Sequence, residues 1–341
     1  MTLTKELIRR LPKAELHVHL DGCLRPATLI ELARQAGLTP PAEDPEGVAE
    51  AMLVSNAANL EEYLERFSYA VSLLQTRAAL ERVAYEFLLD KADENIQYVE
   101  VRYCPVLHTP AMSMEQAFEA PLAGLARGAA ETGVRFSVIV TALRTMSPTV
   151  SSRLAEMAAD YRDEGVVGFD LAGAEQGFPA EEHVKAFRIA QRHGLGCTCH
   201  AGEGDGPDSI RQALHVCGVQ RLGHGTRLLE DPELENYVAE QRIPIEVCLS
   251  SNVHTRVVES VGEHPVRRYF DKGCVVTLNT DGPLMDGVSL TDEYWLAHTE
   301  CGFSREEIDR MILNAFESAF LPDQEKVAMV ARIGEELQGI T

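Results

Sequence analysis

The regular spacing of short apolar segments is the feature that most constrains the fold of this chain. Segments of this kind, rich in β-branched residues and bounded by turn residues, are typical of buried strands. Eight of them occur: Glu15–Leu20, Ile96–Pro105, Arg135–Ala142, Val166–Gly173, Gly194–Ala201, Arg221–Gly225, Pro244–Ser251 and Val275–Asp281. From the second segment onward, consecutive segments end 24 to 37 residues apart, which accommodates one strand and one helix. This repeat predicts parallel strands joined by right-handed helical crossovers, and eight such units close a (β/α)8 TIM barrel.

The segments between the predicted strands carry the periodicity of helices. They are Met114–Thr132, Thr149–Glu164, Glu181–His193, Ser209–Cys217, Pro232–Arg242 and His264–Lys272. The first interval is 85 residues long and predicts a helical insertion over the barrel mouth, about residues 27–93. Its predicted helices are Ala27–Gln35, Asn59–Leu74 and Arg77–Asp93, and two more helices are expected in the tail, Ser304–Gly339. The alternative is an open doubly wound sheet, but no glycine-rich phosphate loop follows an early strand. We therefore expect residues 1–341 to form a single barrel domain.

Composition argues against several classes of function. The 341 residues carry a formal net charge of −22, which repels phosphate backbones and anionic membranes, so neither nucleic acid nor membrane is an expected partner. No apolar run approaches the roughly 20 residues that cross a bilayer, and the amino-terminal segment lacks the apolar stretch of a signal peptide. The eight cysteines form no C-x-x-C motif and are expected to be free thiols. We expect a cytoplasmic protein, and no sequence feature indicates an oligomeric state.

Titratable residues stand at the carboxyl-terminal ends of several predicted strands. His17 and His19 are two residues apart on the first strand, so their side chains point to the same face. His200 lies at the end of the fifth strand and Asp281 at the end of the eighth. Active sites of barrel enzymes lie at this end, and a metal ion satisfies buried imidazoles that otherwise have no partner. Three imidazoles and one carboxylate predict a zinc site with one position left for water.

The end of the fourth strand bears on the number of metal ions. A second ion would need a bridging carboxylate or a carboxylated lysine, and the segment DLAG (Asp170–Gly173) contains no lysine. We therefore predict one zinc ion per chain. The ligand types alone leave iron, cobalt and manganese open.

Two further residues stand close to the predicted metal site. Glu203 follows His200 by three residues and precedes a helix expected near Pro207, so it lies in a loop where a carboxyl group can act as a general acid or base. His224 lies between two glycines at the end of the sixth strand. It is either a fourth imidazole ligand or a group that steers the zinc-bound hydroxide. The remaining histidines lie on predicted helices or after strands, and nothing in the sequence requires a role for them.

Seven motifs occur along the chain at the ends of the predicted strands. They are LPKAELHVHLDG (Leu11–Gly22), YVEVRYCP (Tyr98–Pro105), DLAGAE (Asp170–Glu175), HAGEG (His200–Gly204), RLGHGTRLLED (Arg221–Asp231), EVCLSSN (Glu246–Asn252) and TLNTDGPL (Thr277–Leu284). Together they resemble the motifs of a known family, the adenosine deaminase family of the amidohydrolase superfamily. The similarity extends from residue 11 into the carboxyl-terminal helices, and the order and spacing of the motifs make it specific.

The resemblance implies a reaction and the residues that carry it. It implies the same zinc ligands, His17, His19, His200 and Asp281. The counterpart of Glu203 donates a proton to N1 of the purine, and the counterpart of His224 orients the zinc-bound water or takes its proton. Hydroxide then adds at C6 and ammonia leaves. The expected reaction is hydrolysis of adenosine or 2′-deoxyadenosine to inosine or 2′-deoxyinosine.

The resemblance also implies substrate contacts, and one of them is missing. The substrate-binding positions are His19, Asp21, which meets the ribose 5′-hydroxyl, Gly173, whose backbone contacts N3, and Gly282. The family commonly has a second aspartate at this last position, and its side chain meets N7. Glycine cannot supply that contact, so a water, Asn252 or Asp286 is left to replace it. Asp21 favours a nucleoside, while 6-aminodeoxyfutalosine, adenine and a different amidohydrolase reaction stay open as alternatives.

Overall fold

Eight parallel strands form one sheet whose order follows the chain. The computed structural model describes residues 3–54 and 59–340. The strands are β1 (Lys13–His19), β2 (Ile96–Tyr103), β3 (Arg135–Leu143), β4 (Val166–Ala172), β5 (Gly196–Ala201), β6 (Arg221–His224), β7 (Pro244–Val247) and β8 (Val275–Leu278). With helices around this sheet, the fold is the predicted (β/α)8 barrel.

The helices before and between the first strands fill the long first interval. They are α1 (Lys5–Arg10), α2 (Pro26–Gln35), α3 (Pro45–Met52), α4 (Leu60–Leu73) and α5 (Arg77–Asp93). Of these helices, α2, α4 and α5 were predicted from the sequence, and α1 and α3 were not. Both are short, at six and eight residues, so neither carries the long apolar periodicity on which a helix prediction depends.

The crossover helices of the later units lie close to their predicted positions. They are α6 (Met114–Thr132), α7 (Pro148–Asp160), α8 (Val184–Arg192), α9 (Pro207–Arg211), which continues in a π-helical turn over Gln212–Cys217, α10 (Pro232–Glu240) and, after the unpredicted α11 (Leu249–His254), α12 (Val266–Asp271). The tail contains α13 (Pro283–Asp286), α14 (Leu290–Thr299), α15 (Arg305–Ser318) and α16 (Asp323–Gly339). The last two were predicted, and α13 and α14 were missed.

The seventh predicted strand, Pro244–Ser251, is wrong at its carboxyl-terminal end. The observed strand stops at Val247, and α11 begins at Leu249. The buried carboxylate of Glu293 accepts hydrogen bonds from the backbone N–H groups of Leu249 and Ser250, at 2.7 and 3.1 Å. Glu293 therefore satisfies two backbone N–H groups at the start of the helix, where no helical carbonyl is available to accept from them. In a continued strand, these N–H groups would instead donate to a neighbouring strand. This partner lies more than forty residues along the chain and is invisible to local patterns.

The seam between β1 and β8 brings two candidate site segments together. Val18 and Asp281 form a parallel bridge. The backbone N–H of His19 donates to the carbonyl of Asp281 at 2.8 Å, and the N–H of Asp281 donates to the carbonyl of His17 at 3.1 Å. Residues separated by more than 260 positions are thereby fixed at the carboxyl-terminal end of the barrel.

The amino-terminal end of the barrel is filled by a paired cluster of charges. The guanidinium group of Arg221 lies 2.6 Å from a carboxylate oxygen of Glu100 and 2.6 Å from one of Glu246, and all three side chains are buried. The ring of Phe320, from the tail, stacks 3.7 Å from the Arg221 guanidinium. A Cβ atom at Gly196 would lie 2.3 Å from this ring, so glycine is required there for the tail to pack. Among the described residues, no helix is long and apolar enough to cross a membrane.

Candidate active site

Four candidate ligands converge at the carboxyl-terminal end of the barrel. His17 and His19 come from β1, His200 from β5, and Asp281 follows β8. One ligand atom from each of the four lies within 4.8 Å of all the others. The Nε2 atoms of His19 and His200 are 3.1 Å apart, and Oδ1 of Asp281 lies 3.3 Å from Nε2 of both His17 and His19. The structure thus brings the four predicted ligands together.

Two carboxylates fix the direction in which the imidazoles face. Nδ1 of His17 donates to Oε2 of Glu246 at 2.8 Å, and Nδ1 of His200 donates to Oδ1 of Asp170 at 3.2 Å. With the hydrogen on Nδ1, each Nε2 presents a lone pair to the centre of the cluster, where His17 Nε2 has no hydrogen-bond partner. Burial lowers the pKa of His19 to about 3, so its ring is also neutral. Nε2 of His19 lies 3.1 Å from Nε2 of His200, and this set of imidazole and carboxylate groups fits a metal cofactor.

Arg102 is a site residue that the sequence analysis missed. Its guanidinium lies 2.8 Å from Oε2 of Glu246 and 3.3 Å from Oδ2 of Asp170, the carboxylates that orient His17 and His200. All three charged side chains are fully buried. Arg102 belongs to the quoted motif YVEVRYCP, but its partners lie 68 and 144 residues further along the chain, where spacing gives no signal.

Glu203 lies in the loop after β5, as predicted, and is buried. Burial, together with the nearby carboxylates of Asp281, Glu175 and Asp286, raises the pKa of Glu203 well above its usual value. A neutral carboxyl group in this position can donate a proton. Glu175 also holds the loop, because its carboxylate accepts from the backbone N–H groups of Gly202, Glu203 and Gly204 at 2.7 to 3.0 Å. Glu175 lies in the motif DLAGAE, and no sequence pattern predicted its role.

His224 is fully buried beside the cluster, with its ring centroid 4.8 Å from that of His17. Its Nε2 lies 3.5 Å from Oε2 of Glu203 and has no hydrogen-bond partner, while its Nδ1 contacts the side-chain amide of Asn252 at 3.1 Å. His224 and Asp281 both have a φ of +61°, a left-handed conformation that is uncommon outside glycine. Strain of this kind concentrates at functional sites.

A cavity of about 710 Å³ opens onto these residues. Its lining includes six of the predicted site residues: His19, Asp21, Gly173, His200, Glu203 and Asp281. Asp21 is 5% exposed and its Oδ1 has no hydrogen-bond partner, while burial raises its pKa to about 6. Helix α4 supplies one wall through Leu60, Tyr63, Leu64 and Phe67. The predicted insertion therefore contributes directly to the cavity.

Gly282 lies against two aromatic side chains of this wall. A Cβ atom at Gly282 would lie 2.9 Å from the Tyr63 hydroxyl and 2.9 Å from Cζ of Phe67. The Tyr63 hydroxyl donates to Oδ2 of Asp286 at 2.8 Å, and Nδ1 of His254 lies 2.8 Å from the other carboxylate oxygen. The space beside Gly282 is thus occupied by aromatic groups, and Asp286 is already hydrogen-bonded.

His264, to which the sequence assigned no role, contacts a residue that is hydrogen-bonded to His224. His264, on a predicted helix edge, is buried, and its Nε2 lies 3.0 Å from Oδ1 of Asn252. Asn252 is therefore engaged between His224 and His264. His108 contacts the carbonyl of Leu74 at 3.0 Å and does not line the cavity.

The chain matches one protein family over nearly its whole length. The profile of the adenosine deaminase family matches residues 12–336. A probable adenosine deaminase from Dictyostelium discoideum is 38% identical over 95% of this chain, which spans 42% of that longer protein. The adenosine deaminase of Mycobacterium avium is 40% identical over 97% of this chain and 96% of its own length.

Solved structures agree in fold across nearly the whole chain. An adenine deaminase from Arthrobacter aurescens superposes with a TM-score of 0.89 at 27% identity, covering 96% of this chain and 99% of its own. An amidohydrolase from Burkholderia ambifaria with bound zinc superposes with a TM-score of 0.91 at 26% identity, covering 100% of this chain and 95% of its own. The barrel, the cluster of histidines and the family match lead to one conclusion: this chain belongs to the adenosine deaminase family.

Proposed function

We propose that this protein catalyses the zinc-dependent hydrolytic deamination of adenosine and 2′-deoxyadenosine to inosine or 2′-deoxyinosine and ammonia. The proposal rests on one observation. Four side chains that could bind a metal lie together with the buried carboxyl group of Glu203 at one end of a cavity. The described relatives at about 40% identity are named adenosine deaminases, which supports the same substrate here. We also propose a single hydrolase domain over residues 1–341 and a cytoplasmic location, the latter supported by eight free cysteines.

The proposed cofactor is one zinc ion per chain, held by Nε2 of His17, His19 and His200 and by the carboxylate of Asp281. The orphaned Nε2 of His17 and the imidazole and carboxylate donor set support zinc. A second group of candidate ligands, Glu203 with His224, shares Asp281 with the first group, so a second ion there would require Asp281 to bridge both ions. Elemental analysis of the purified protein tests the proposed stoichiometry.

Zinc, when bound, polarises a water molecule so that it ionises near neutral pH. The chain's own residues complete the reaction. Glu203 enters it neutral and donates its proton to N1 of the purine, which makes C6 electron-poor. The oxygen of a water molecule adds at C6. One proton of this water passes to the former amino group, which leaves as ammonia when its bond to C6 breaks, and the other proton restores the neutral Glu203. Glu175 keeps Glu203 in place through its hydrogen bonds to the loop backbone.

The cavity favours a nucleoside over a nucleotide. Among the described residues that line it, none is a lysine or an arginine, whereas Asp21, Glu61 and Glu203 all contribute carboxyl groups. A 5′-phosphate would meet carboxylates without a compensating cation. In the proposed binding mode, the buried and unpartnered Oδ1 of Asp21 accepts the hydrogen of the ribose 5′-hydroxyl, and the backbone of Gly173 contacts N3. A φ of +91° at Gly173 favours glycine there.

Ammonia release from a panel of substrates tests the proposal. Adenosine and 2′-deoxyadenosine are expected to give the highest kcat/KM, with adenine, AMP and 6-aminodeoxyfutalosine far lower. Adenine is the second candidate, because the chain superposes on an adenine deaminase over nearly its whole length. A preference for adenine would replace the nucleoside assignment, and no ammonia from any of the five compounds would refute deamination itself.

A further inference from the structure

A chain of buried hydrogen bonds behind His224 begins at a donor whose hydrogen is unambiguous. The backbone N–H of Val266 donates to Nδ1 of His264 at 3.1 Å. A backbone amide can only donate, so Nδ1 of His264 must be an acceptor and the hydrogen of this neutral ring must be on Nε2. Burial lowers the pKa of His264 to about 3, which keeps the ring neutral. The tautomer of His264 is therefore determined by the backbone.

This tautomer fixes the orientation of the Asn252 amide. Nε2–H of His264 donates to Oδ1 of Asn252 at 3.0 Å, and the hydroxyl of Thr226 donates to the same oxygen at 2.7 Å. The side chain of Asn252 is fully buried. With its oxygen engaged on one side, its NH2 group faces His224 and donates to Nδ1 at 3.1 Å.

We propose that Asn252 is a positioning residue that holds His224 as the tautomer with its hydrogen on Nε2. In this tautomer, His224 donates a hydrogen bond to the oxygen that attacks C6 and does not take up its proton. The identity of that oxygen rests on the proposed function. The tautomer itself depends only on the hydrogen bonds from Val266 through His264 and Asn252.

The same hydrogen bonds separate His224 from the candidate metal ligands. His17 and His200 donate from Nδ1 to carboxylates, which leaves Nε2 free to bind a cation. Asn252 donates to His224, so Nδ1 of His224 carries no hydrogen. A neutral imidazole that bound metal through Nε2 would need a hydrogen on Nδ1, where it would face the Asn252 amide hydrogens. His224 is therefore a hydrogen-bond donor beside the metal and not a fourth ligand.

Nitrogen NMR of the zinc-loaded protein, labelled with [15N]histidine, tests the tautomer directly. Signals of His224 are assigned by their loss in His224→Gln. We expect protonated Nε2 and unprotonated Nδ1 at His224, and the reverse at the metal ligands His17 and His200. A protonated Nδ1 at His224 in the wild type would overturn the proposal without reference to any activity.

The substitution Asn252→Asp tests what the tautomer does. A carboxylate can only accept, so His224 should place its hydrogen on Nδ1 and lose the donor on Nε2. Losing a positioned donor, or holding an imidazole in the wrong tautomer, lowers kcat by about 10²- to 10⁴-fold, and we expect a fall in this range with KM changed less than about threefold. The matched control is Thr226→Val, which removes one donor to Asn252 but leaves His264 to orient the amide. It should keep the wild-type tautomer and lower kcat less than about tenfold.

The outcomes distinguish this inference from the proposed function. An Asn252→Asp variant with Nε2 unprotonated and kcat within about threefold of wild type would refute the donor role. A wild type that releases no ammonia from 6-aminopurines would refute the proposed function, while the measured tautomer would still decide the role of Asn252.

Discussion

Both ends of the barrel interior bury titratable side chains, but the ends differ in whether these side chains have partners within the chain. At the amino-terminal end, Arg221 is paired with Glu100 and Glu246, and the ring of Phe320 covers the guanidinium. At the carboxyl-terminal end, Nε2 of His17 and Nε2 of His224 have no hydrogen-bond partner among the described residues. The first arrangement pairs its charges within the chain at 2.6 Å, whereas the second leaves imidazole nitrogens open to a ligand.

Glu246 connects these two ends. Its Oε1 lies 2.6 Å from Nε of Arg221, and its Oε2 accepts from Nδ1 of His17 at 2.8 Å. Arg102 also pairs with Oε2 at 2.8 Å. One carboxylate therefore belongs to the paired cluster below and orients a candidate metal ligand above. We call the carboxyl-terminal end of the barrel the upper end and the amino-terminal end the lower end. Substitutions at the upper end should change turnover, and substitutions at the lower end should first change the stability of the fold.

The largest expected effect is on turnover at the upper end. Glu203→Gln keeps the shape of the side chain but removes the acidic proton that N1 requires. We expect kcat to fall by about 10²- to 10⁴-fold, the usual contribution of general acid catalysis. Zinc content, measured by elemental analysis, should stay at the wild-type level because Glu203 is not a proposed ligand. Near wild-type turnover with a full complement of zinc would remove Glu203 from its role.

The next effect concerns stability at the lower end. Arg221→Met leaves Glu100 and Glu246 buried without their cation, and breaking a buried pair in this way typically costs about 3–5 kcal/mol. Urea unfolding followed by circular dichroism measures the loss. Arg34, whose exposed pair with Glu43 spans 2.9 Å, provides the control, since Arg34→Met should cost less than about 1 kcal/mol. Equal costs for the two variants would contradict the contrast between the two environments.

Local sequence patterns predicted the upper end well where its residues follow a strand register. The spacing of His17 and His19 fixed their common face, and the strand ends placed His200 and Asp281 beside them. Contacts between distant segments could not be predicted in this way. Arg102 meets Glu246 across 144 residues, for example, and Tyr63 meets Asp286 across 223. Such contacts depend on packing, which periodicity does not encode.

A third prediction uses pH to examine a carboxyl group at the upper end. Burial raises the pKa of Asp286 to about 6, above the ordinary value of 3.8, so folding favours its protonated form. This contribution to stability is complete below about pH 4 and is lost as the pH rises through about 6. The difference corresponds to about 3 kcal/mol at most. Relative to Asp286→Asn, the wild type should therefore lose stability between pH 4 and pH 7 in urea unfolding. A constant difference across this range would show that Asp286 is ionised throughout.

The smallest expected effect concerns the wall beside Gly282. In the proposed binding mode, N1 and N3 face Glu203 and Gly173, after β5 and β4, so the N7 edge faces the opposite side of the mouth, where Gly282 and Tyr63 lie. The Tyr63 hydroxyl already donates its hydrogen to Asp286 at 2.8 Å. A ring nitrogen on this side therefore meets no free donor from Tyr63.

Adenosine and 7-deazaadenosine, compared in the wild type and in Tyr63→Phe, test this arrangement. The two nucleosides differ in intrinsic reactivity, but this difference is the same for the wild type and for the variant. The ratio of kcat/KM for adenosine to kcat/KM for 7-deazaadenosine is therefore compared between the two proteins, and its change reports the contact with Tyr63. A hydrogen bond to N7 would contribute about 0.5–1.5 kcal/mol, or roughly 2- to 12-fold. Because the hydroxyl is engaged by Asp286, we expect the ratio to change less than about twofold. A preference for adenosine that disappears in Tyr63→Phe would mean that the hydroxyl turns from Asp286 to the purine when substrate binds, and that Tyr63 replaces the side chain that Gly282 lacks.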